Sequence, residues 1–216
     1  MLRRSLPGCG VLSSLVYVVA DILGASSWEG YGYASQSISE LSAIGAPSRS
    51  LVLPLALAYD ALLLAFGLGV CASTGRARAL RVTGASLIAV AVFGLIASLW
   101  FPMHLRGGEQ NLSDGMHIAL TAMTVSCIVL AMASAANTAG RRFRVYTLVT
   151  LLLVMGFGAL AALDGPRVAE DLPTPMLGIN ERISVGAYLL WVIVLALALP
   201  RPGHERARKP QPRARD

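Results

Sequence analysis

Every second polar break in this chain is basic, and that ordering limits the fold more than any motif does. Long apolar runs alternate with short polar connections. Arg3 and Arg4 precede the first run, and Arg76, Arg78 and Arg81 lie between the second and third. Arg141, Arg142 and Arg144 lie between the fourth and fifth, and a basic stretch from Arg201 to Arg215 follows the last. Lys and Arg in short loops stay on the cytoplasmic side of a membrane. Fourteen of the eighteen basic residues fall on that side; Arg49, Arg106, Arg167 and Arg182 make up the other. The acids run the opposite way, with Glu29, Glu40, Glu109, Asp114, Asp164, Glu170, Asp171 and Glu181 facing out and only Glu205 and Asp216 facing in. Asp21 and Asp60 fall inside apolar runs.

A bilayer core of about 30 Å takes about 20 apolar residues per helix. Six runs meet that requirement, at roughly 9–26, 51–71, 81–101, 116–136, 144–163 and 181–199. Breakers separate them: Gly45 and Pro47, Gly75, Pro102 with Gly107 and Gly108, Gly140, and Pro166 with Pro173 and Pro175. The expected fold is all-α, a six-span transmembrane bundle over residues 1–200 with both termini cytoplasmic. Residues 201–216, with six basic residues, read as a disordered cytoplasmic tail. At 55% hydrophobic and 14% charged, 216 residues cannot cover a soluble domain. The net charge of +6 does not point to nucleic acid, because its basic residues sit in topological loops. The expected partner is the lipid bilayer of the cell membrane, with a homo-oligomer open.

Two short patterns imitate processing signals. Arg3-Arg4, an apolar run and Leu23-Gly24-Ala25-Ser26 resemble a cleavable leader, but Asp21 is out of place near the end of such a run. Leu6-Pro7-Gly8-Cys9 precedes the apolar run rather than ending it, so it is no lipoprotein box. Cys9, Cys71 and Cys127 lie in apolar runs without a CxxC pair, which supports neither disulfides nor a thiolate metal site. No internal repeat supports an inverted-repeat transporter.

The outward loops carry the chemistry-bearing residues. The first reads Ser35-Gln36-Ser37-Ile38-Ser39-Glu40-Leu41-Ser42 and ends at Gly45 and Pro47. The second runs from Phe101-Pro102-Met103-His104 to Asp114-Gly115-Met116-His117, and the third ends Gly178-Ile179-Asn180-Glu181-Arg182. Ile38-Ser39-Glu40-Leu41 with Gly45 and Pro47, the Phe-Pro after span 3, the His opening span 4 and Gly-x-x-Glu-Arg at span 6 together resemble the DUF998 family of six-span prokaryotic membrane proteins. The resemblance covers roughly residues 10–200. It implies the fold and topology, and no reaction.

Each motif has a structural and a chemical reading. Ser37-x-x-Glu40 makes a capping box, which would start a short interfacial helix with Ile38, Leu41 and Ile44 on one face. Ser113 or Asp114 can cap span 4, and Asn180 with Glu181 can cap span 6. Arg182 can snorkel or pair with an outer acid. The chemical reading pairs Asp114 with His117, at i and i+3, as an oriented base. Glu40, Glu181, His104 and Glu109 would then be further catalytic or ligating groups, and Ser39 a nucleophile or a substrate contact. No HExxH, G-x-S-x-G or mid-span histidine is present, so no metal site, triad or haem is indicated, and the cofactor stays open.

Asp60 lies mid-span beside Tyr59, where a charged aspartate costs about 2.5–3.5 kcal/mol and the neutral acid is favoured. It reads either as a proton, ion or substrate contact or as a clamp between spans 1 and 2. Asp21 is nearer the interface and is expected to reach water. The expected function is binding of a lipid or small molecule at the outward polar site, with Ser39, Arg182, Asp60 and Asp21 as contacts. Two alternatives stand beside it: a metal-assisted or lipid-hydrolysing enzyme that uses His117, and a proton-coupled carrier that uses Asp60.

Overall fold

Each apolar run closes its own backbone hydrogen bonds as a helix, because hydrocarbon offers no other partner. A computed structural model of the protein describes the backbone of residues 2–73, 78–108 and 111–199, with side chains for residues 8–72, 78–108 and 111–199. The six long helices are α1 (Leu2–Ser26), α2 (Arg49–Ser73), α3 (Arg78–Trp100), α4 (Leu112–Ala135), α5 (Gly140–Leu163) and α7 (Leu177–Ala198); a short α6 (Gly165–Ala169) precedes the last. All six long helices are apolar and long enough to cross a membrane. The protein is therefore a multi-pass integral membrane protein. Gly75, Arg76, Glu109 and the basic stretch from Arg201 lie outside the described residues.

The helices close a ring. Helix α1 packs on α2, α2 on α3 and α3 on α4; α5 packs on α7, α7 returns to α1, and α4 meets α5 more sparsely. The interior is filled by Trp191, Phe66, Leu63, Leu87, Met132 and Leu195, all under 2% exposed. Only a third or less of each span is buried by protein, so the rest is left for lipid. Small residues bring helices close: Ala131 and Ala135 are fully buried, and Thr83 Oγ1 on α3 lies 3.4 Å from the Ala131 carbonyl on α4.

Successive crossings put alternate connections at opposite ends, and in this chain the three longer ones share an end. Residues 27–48, 101–111 and 164–176 all lie at one end of the ring, called here the polar end. The first connection contains a single 3-10 turn, Ser39–Ser42. It is not the surface helix its capping box suggested. Leu41 is fully buried and Ile38 nearly so, while Ile44 is 41% exposed. Ile44 instead donates its N–H to the Met103 carbonyl at 2.8 Å. The loop folds down onto the helix ends because two of its three apolar residues find cover there.

Candidate functional site

The polar end is organised around two arginines. Arg182, one turn into α7, reaches Asp21 near the end of α1. Its Nη2 donates to Asp21 Oδ1 at 2.7 Å and its Nε to Oδ2 at 3.1 Å. Nη2 also donates to Tyr31 Oη at 2.8 Å. Nη1 faces the carbonyls of Tyr33, Gln36 and Gly178 at 2.9–3.2 Å. Every N–H of this guanidinium is therefore committed. Asp21 also accepts from Tyr33 Oη at 2.6 Å, and the Tyr33 ring lies under the guanidinium at 3.7 Å. Both charged side chains are about a tenth exposed. Asp21 does not reach for water as expected, because the opposite charge on α7 lies closer. Burial pushes the Tyr31 phenol up to about 12 against the pull of Arg182, so it stays a neutral donor. That donor goes to the Ser37 carbonyl at 2.8 Å.

Arg106, on the connection before α4, clamps Glu40. Nε and Nη2 donate to its two carboxylate oxygens at 2.7 and 2.9 Å, a bidentate pair. Nη1 donates to Thr174 Oγ1 at 3.2 Å, which ties in the third connection. Glu40 is fully buried and accepts from the Ser37 N–H at 2.7 Å, while the Glu40 N–H donates to Ser37 Oγ at 3.3 Å. The reciprocal bonds of the capping box thus form, and Arg106 supplies the charge that lets the box be buried. Burial alone would raise the Glu40 carboxyl, but Arg106 and the Ser37 N–H hold it below its ordinary value. Arg106 is raised in turn, first by its hydrogen bond to Glu40.

Glu181 works next door. Its Oε2 accepts from the Ile38 N–H at 2.7 Å, so adjacent amides of one loop feed two carboxylates. Helix α7 starts at Leu177, which places Asn180 and Glu181 inside it rather than at its cap. The loop itself takes the capping role: the Ala34 carbonyl accepts from the N–H groups of Gly178 and Ile179 at 2.9 and 3.2 Å. Gly178 is required for this approach. A Cβ there would lie 2.4 Å from the carbonyls of Tyr33 and Gln36. The Gly-x-x-Glu-Arg pattern is thus a docking surface for residues 33–38.

The expected Asp114–His117 couple does not form. Asp114 Oδ1 accepts from the His104 N–H at 2.7 Å, and Oδ2 lies 3.0 Å from His104 Nδ1 and 3.1 Å from the Asn111 N–H. The cap of α4 is Asn111, with Asp114 completing its capping box, and neither Ser113 nor Asp114 is the cap residue. His117 points elsewhere: its Nδ1 donates to the Phe101 carbonyl at 2.9 Å, which fixes the tautomer and leaves Nε2 as acceptor. Spacing along a helix admitted the pair, but the preceding loop reached Asp114 first. His104 is held at three points by Asp114 and by its bridge to Ile44. The Ser39 carbonyl accepts from Ser42 Oγ at 3.3 Å. Among the described residues, no three of His, Cys, Asp and Glu gather as a metal site would require.

Sequence reasoning placed Arg106 on this side but named neither it nor Tyr31, Tyr33 and Asn111 as site residues. Arg106 was detectable in principle. It is one of four bases among eight outward acids, so a pairing with one of them was there to be sought. Beside Tyr31 and Tyr33 lies an open hollow of about 320 Å³, lined also by Ile22, Ala25 and Ser26 of α1.

Comparison with known proteins agrees with this architecture. The family model described as "Protein of unknown function (DUF998)" matches residues 11–198. The chain belongs to the DUF998 family. No curated protein and no solved structure matches it.

Proposed function

We propose that this DUF998 protein binds a lipid or another acyl-chain amphiphile at its polar end, in the hollow formed by Ile22, Ala25, Ser26, Tyr31 and Tyr33. The hollow is the observation that carries the reading. Below it, Leu15, Val18, Val19 and Ile22 of α1 are exposed along the lipid side, a path for an acyl chain. Tyr33 is 47% exposed, so part of its ring is left for a head group. Arg182 has no N–H left for a phosphate or carboxylate. The head group is therefore held by aromatic contact, and Glu29 nearby favours a neutral or cationic one. Asp21 and Arg182 set the Tyr33 ring in place and do not meet the ligand directly. The basic loops at the opposite end support an outward position of the hollow in the cell membrane.

The hydrolytic alternative loses the carboxylate it needed, since Asp114 serves His104 and Asn111. The test is native mass spectrometry of the protein released from discs of phosphatidylethanolamine and phosphatidylglycerol, with metal analysis on the same sample. One amphiphile per chain should survive removal of the surrounding lipid. Ser26→Trp, a change at an exposed position that fills the hollow, should abolish retention without loss of folded yield. Equal retention in both proteins would refute the site. A stoichiometric metal lost in His117→Ala would favour the enzyme instead.

A further inference from the structure

Asp60 lies on the buried face of α2, 3% exposed. Four helices supply its surroundings. Tyr17 comes from α1, packed edge-on against Tyr59 of α2 at 4.9 Å between ring centres. Gly94 comes from α3; a Cβ there would lie 2.5 Å from Asp60 Oδ1, so the helix is cut back where the carboxyl sits. Tyr188 comes from α7, is 3% exposed, and its hydroxyl interacts with that of Tyr59. None of the hydrogen bonds between described residues involves the Asp60 carboxyl, and burial is the dominant influence on it. The clamp between spans 1 and 2 expected from sequence is therefore not made by a hydrogen bond. A buried carboxyl without a protein hydrogen bond inside a membrane bundle calls for an explanation.

Groups that can move a proton lie between Asp60 and the polar end. Tyr17 is within electrostatic reach of Asp60 and also of Asp21, Glu181 and Arg182. It stands one turn from Asp21 on the same face of α1. Glu181 stands seven residues before Tyr188, on one face of α7. Only Oε2 of Glu181 is engaged, by the Ile38 N–H. The titratable groups that face Asp60 are thus Tyr17 from α1, Tyr59 from its own helix and Tyr188 from α7; Asp21, Glu181 and Arg182 act on Tyr17, and α3 contributes the bare backbone of Gly94.

We propose that Asp60 is a proton-exchange site inside the bundle, loaded and emptied from the polar end past Tyr17 and Glu181. In loading, the Glu181 carboxyl releases its proton toward the Tyr17 hydroxyl, through water if the gap requires it. Tyr17 accepts that proton and passes its own to the Asp60 carboxylate, where an O–H bond forms as the one on Glu181 breaks. Emptying is the reverse, and no electrons move. Such a site would make the bundle responsive to the proton gradient, which the binding reading does not require.

The test is infrared spectroscopy of the full protein in lipid discs, following the C=O stretch of a protonated carboxyl. Asp60→Asn should remove one such band, and Asp60→Glu, which keeps the carboxyl, should move it. That band should shift when the sample is transferred to D2O. Tyr17→Phe keeps the ring against Tyr59 and should slow the shift by about 10²-fold, the scale on which a positioned proton donor acts. A band that never shifts in D2O would mark Asp60 as a sealed structural acid and overturn the proposal. So would the absence of any band assignable to Asp60, and an unchanged rate in Tyr17→Phe would overturn the route.

Discussion

Arg182 and Glu40 show how single residues hold the polar end. Arg182 neutralises Asp21, carries the ring of Tyr33 and binds two loop carbonyls and one of its own helix. Removing it leaves a buried carboxylate without a counter-charge, and breaking such a pair typically costs about 3–5 kcal/mol. Arg182→Ala should therefore lower unfolding stability in detergent by about that amount, and Asp21→Asn in the same chain should recover a large part of it. Independent, additive losses in a double-mutant cycle would show that the two do not act as a pair. Arg182→Lys should rescue poorly, because one ammonium cannot replace five directed donors. Glu40 makes a prediction in pH. Its folded-state carboxyl is held below its ordinary value of 4.5 by Arg106 and Ser37. Its stabilisation is then complete above the unfolded value and is lost as pH falls through the lower, folded one. Thermal unfolding from pH 7 downward should show a drop in the wild type that is smaller in Glu40→Gln. Parallel curves would mean that the Arg106 clamp contributes nothing measurable.

At the level of elements, the sequence was most readable where one force decided the outcome. About 20 apolar residues in a row can only span or aggregate, so α2 to α5 begin and end within a few residues of the expected runs. Where two elements compete for the same polar group, local patterns mislead. Helix α7 starts four residues before the expected 181, because the 33–38 loop supplies the cap that Asn180 and Glu181 were expected to be. Asp114 was read against its neighbour on the helix, whereas the bond that wins comes from ten residues earlier in the chain. Tyr31 and Tyr33 follow the first span, where aromatics are common at a membrane interface, and it is Arg182 of α7 that fixes them as walls of the hollow. The docking of the loop on α7 can be tested at Gly178. Any side chain there meets two carbonyls, so Gly178→Ala should raise amide exchange across residues 33–41 and lower stability by about 1–3 kcal/mol. Asn111→Ala should cost about 1 kcal/mol, with faster exchange confined to the first turn of α4. Loosening of 33–41 in Asn111→Ala as well would mean that the three connections behave as one unit.

For the whole molecule, the ring of helices puts its charges in order at both ends. At the polar end Arg182 is paired with Asp21 and Arg106 with Glu40, and acids outnumber arginines there, so the excess charge is negative. The opposite end carries Arg78, Arg81, Arg141, Arg142 and Arg144, for which no acid partner lies within salt-bridge distance among the described residues. An end with unpaired cations resists translocation, while an end whose buried arginines are paired does not, so the pairing favours the expected orientation. The expected arrangement can be measured in intact cells with a membrane-impermeant maleimide. With Cys9, Cys71 and Cys127 changed to Ser or Ala, a cysteine at Glu29, on the exposed part of the polar end, should label from outside. A cysteine at Arg142 should label only after the membrane is permeabilised. The reverse pattern would invert the molecule, turn the hollow beside Tyr33 toward the cytoplasm, and direct any proton exchanged at Asp60 to the opposite compartment.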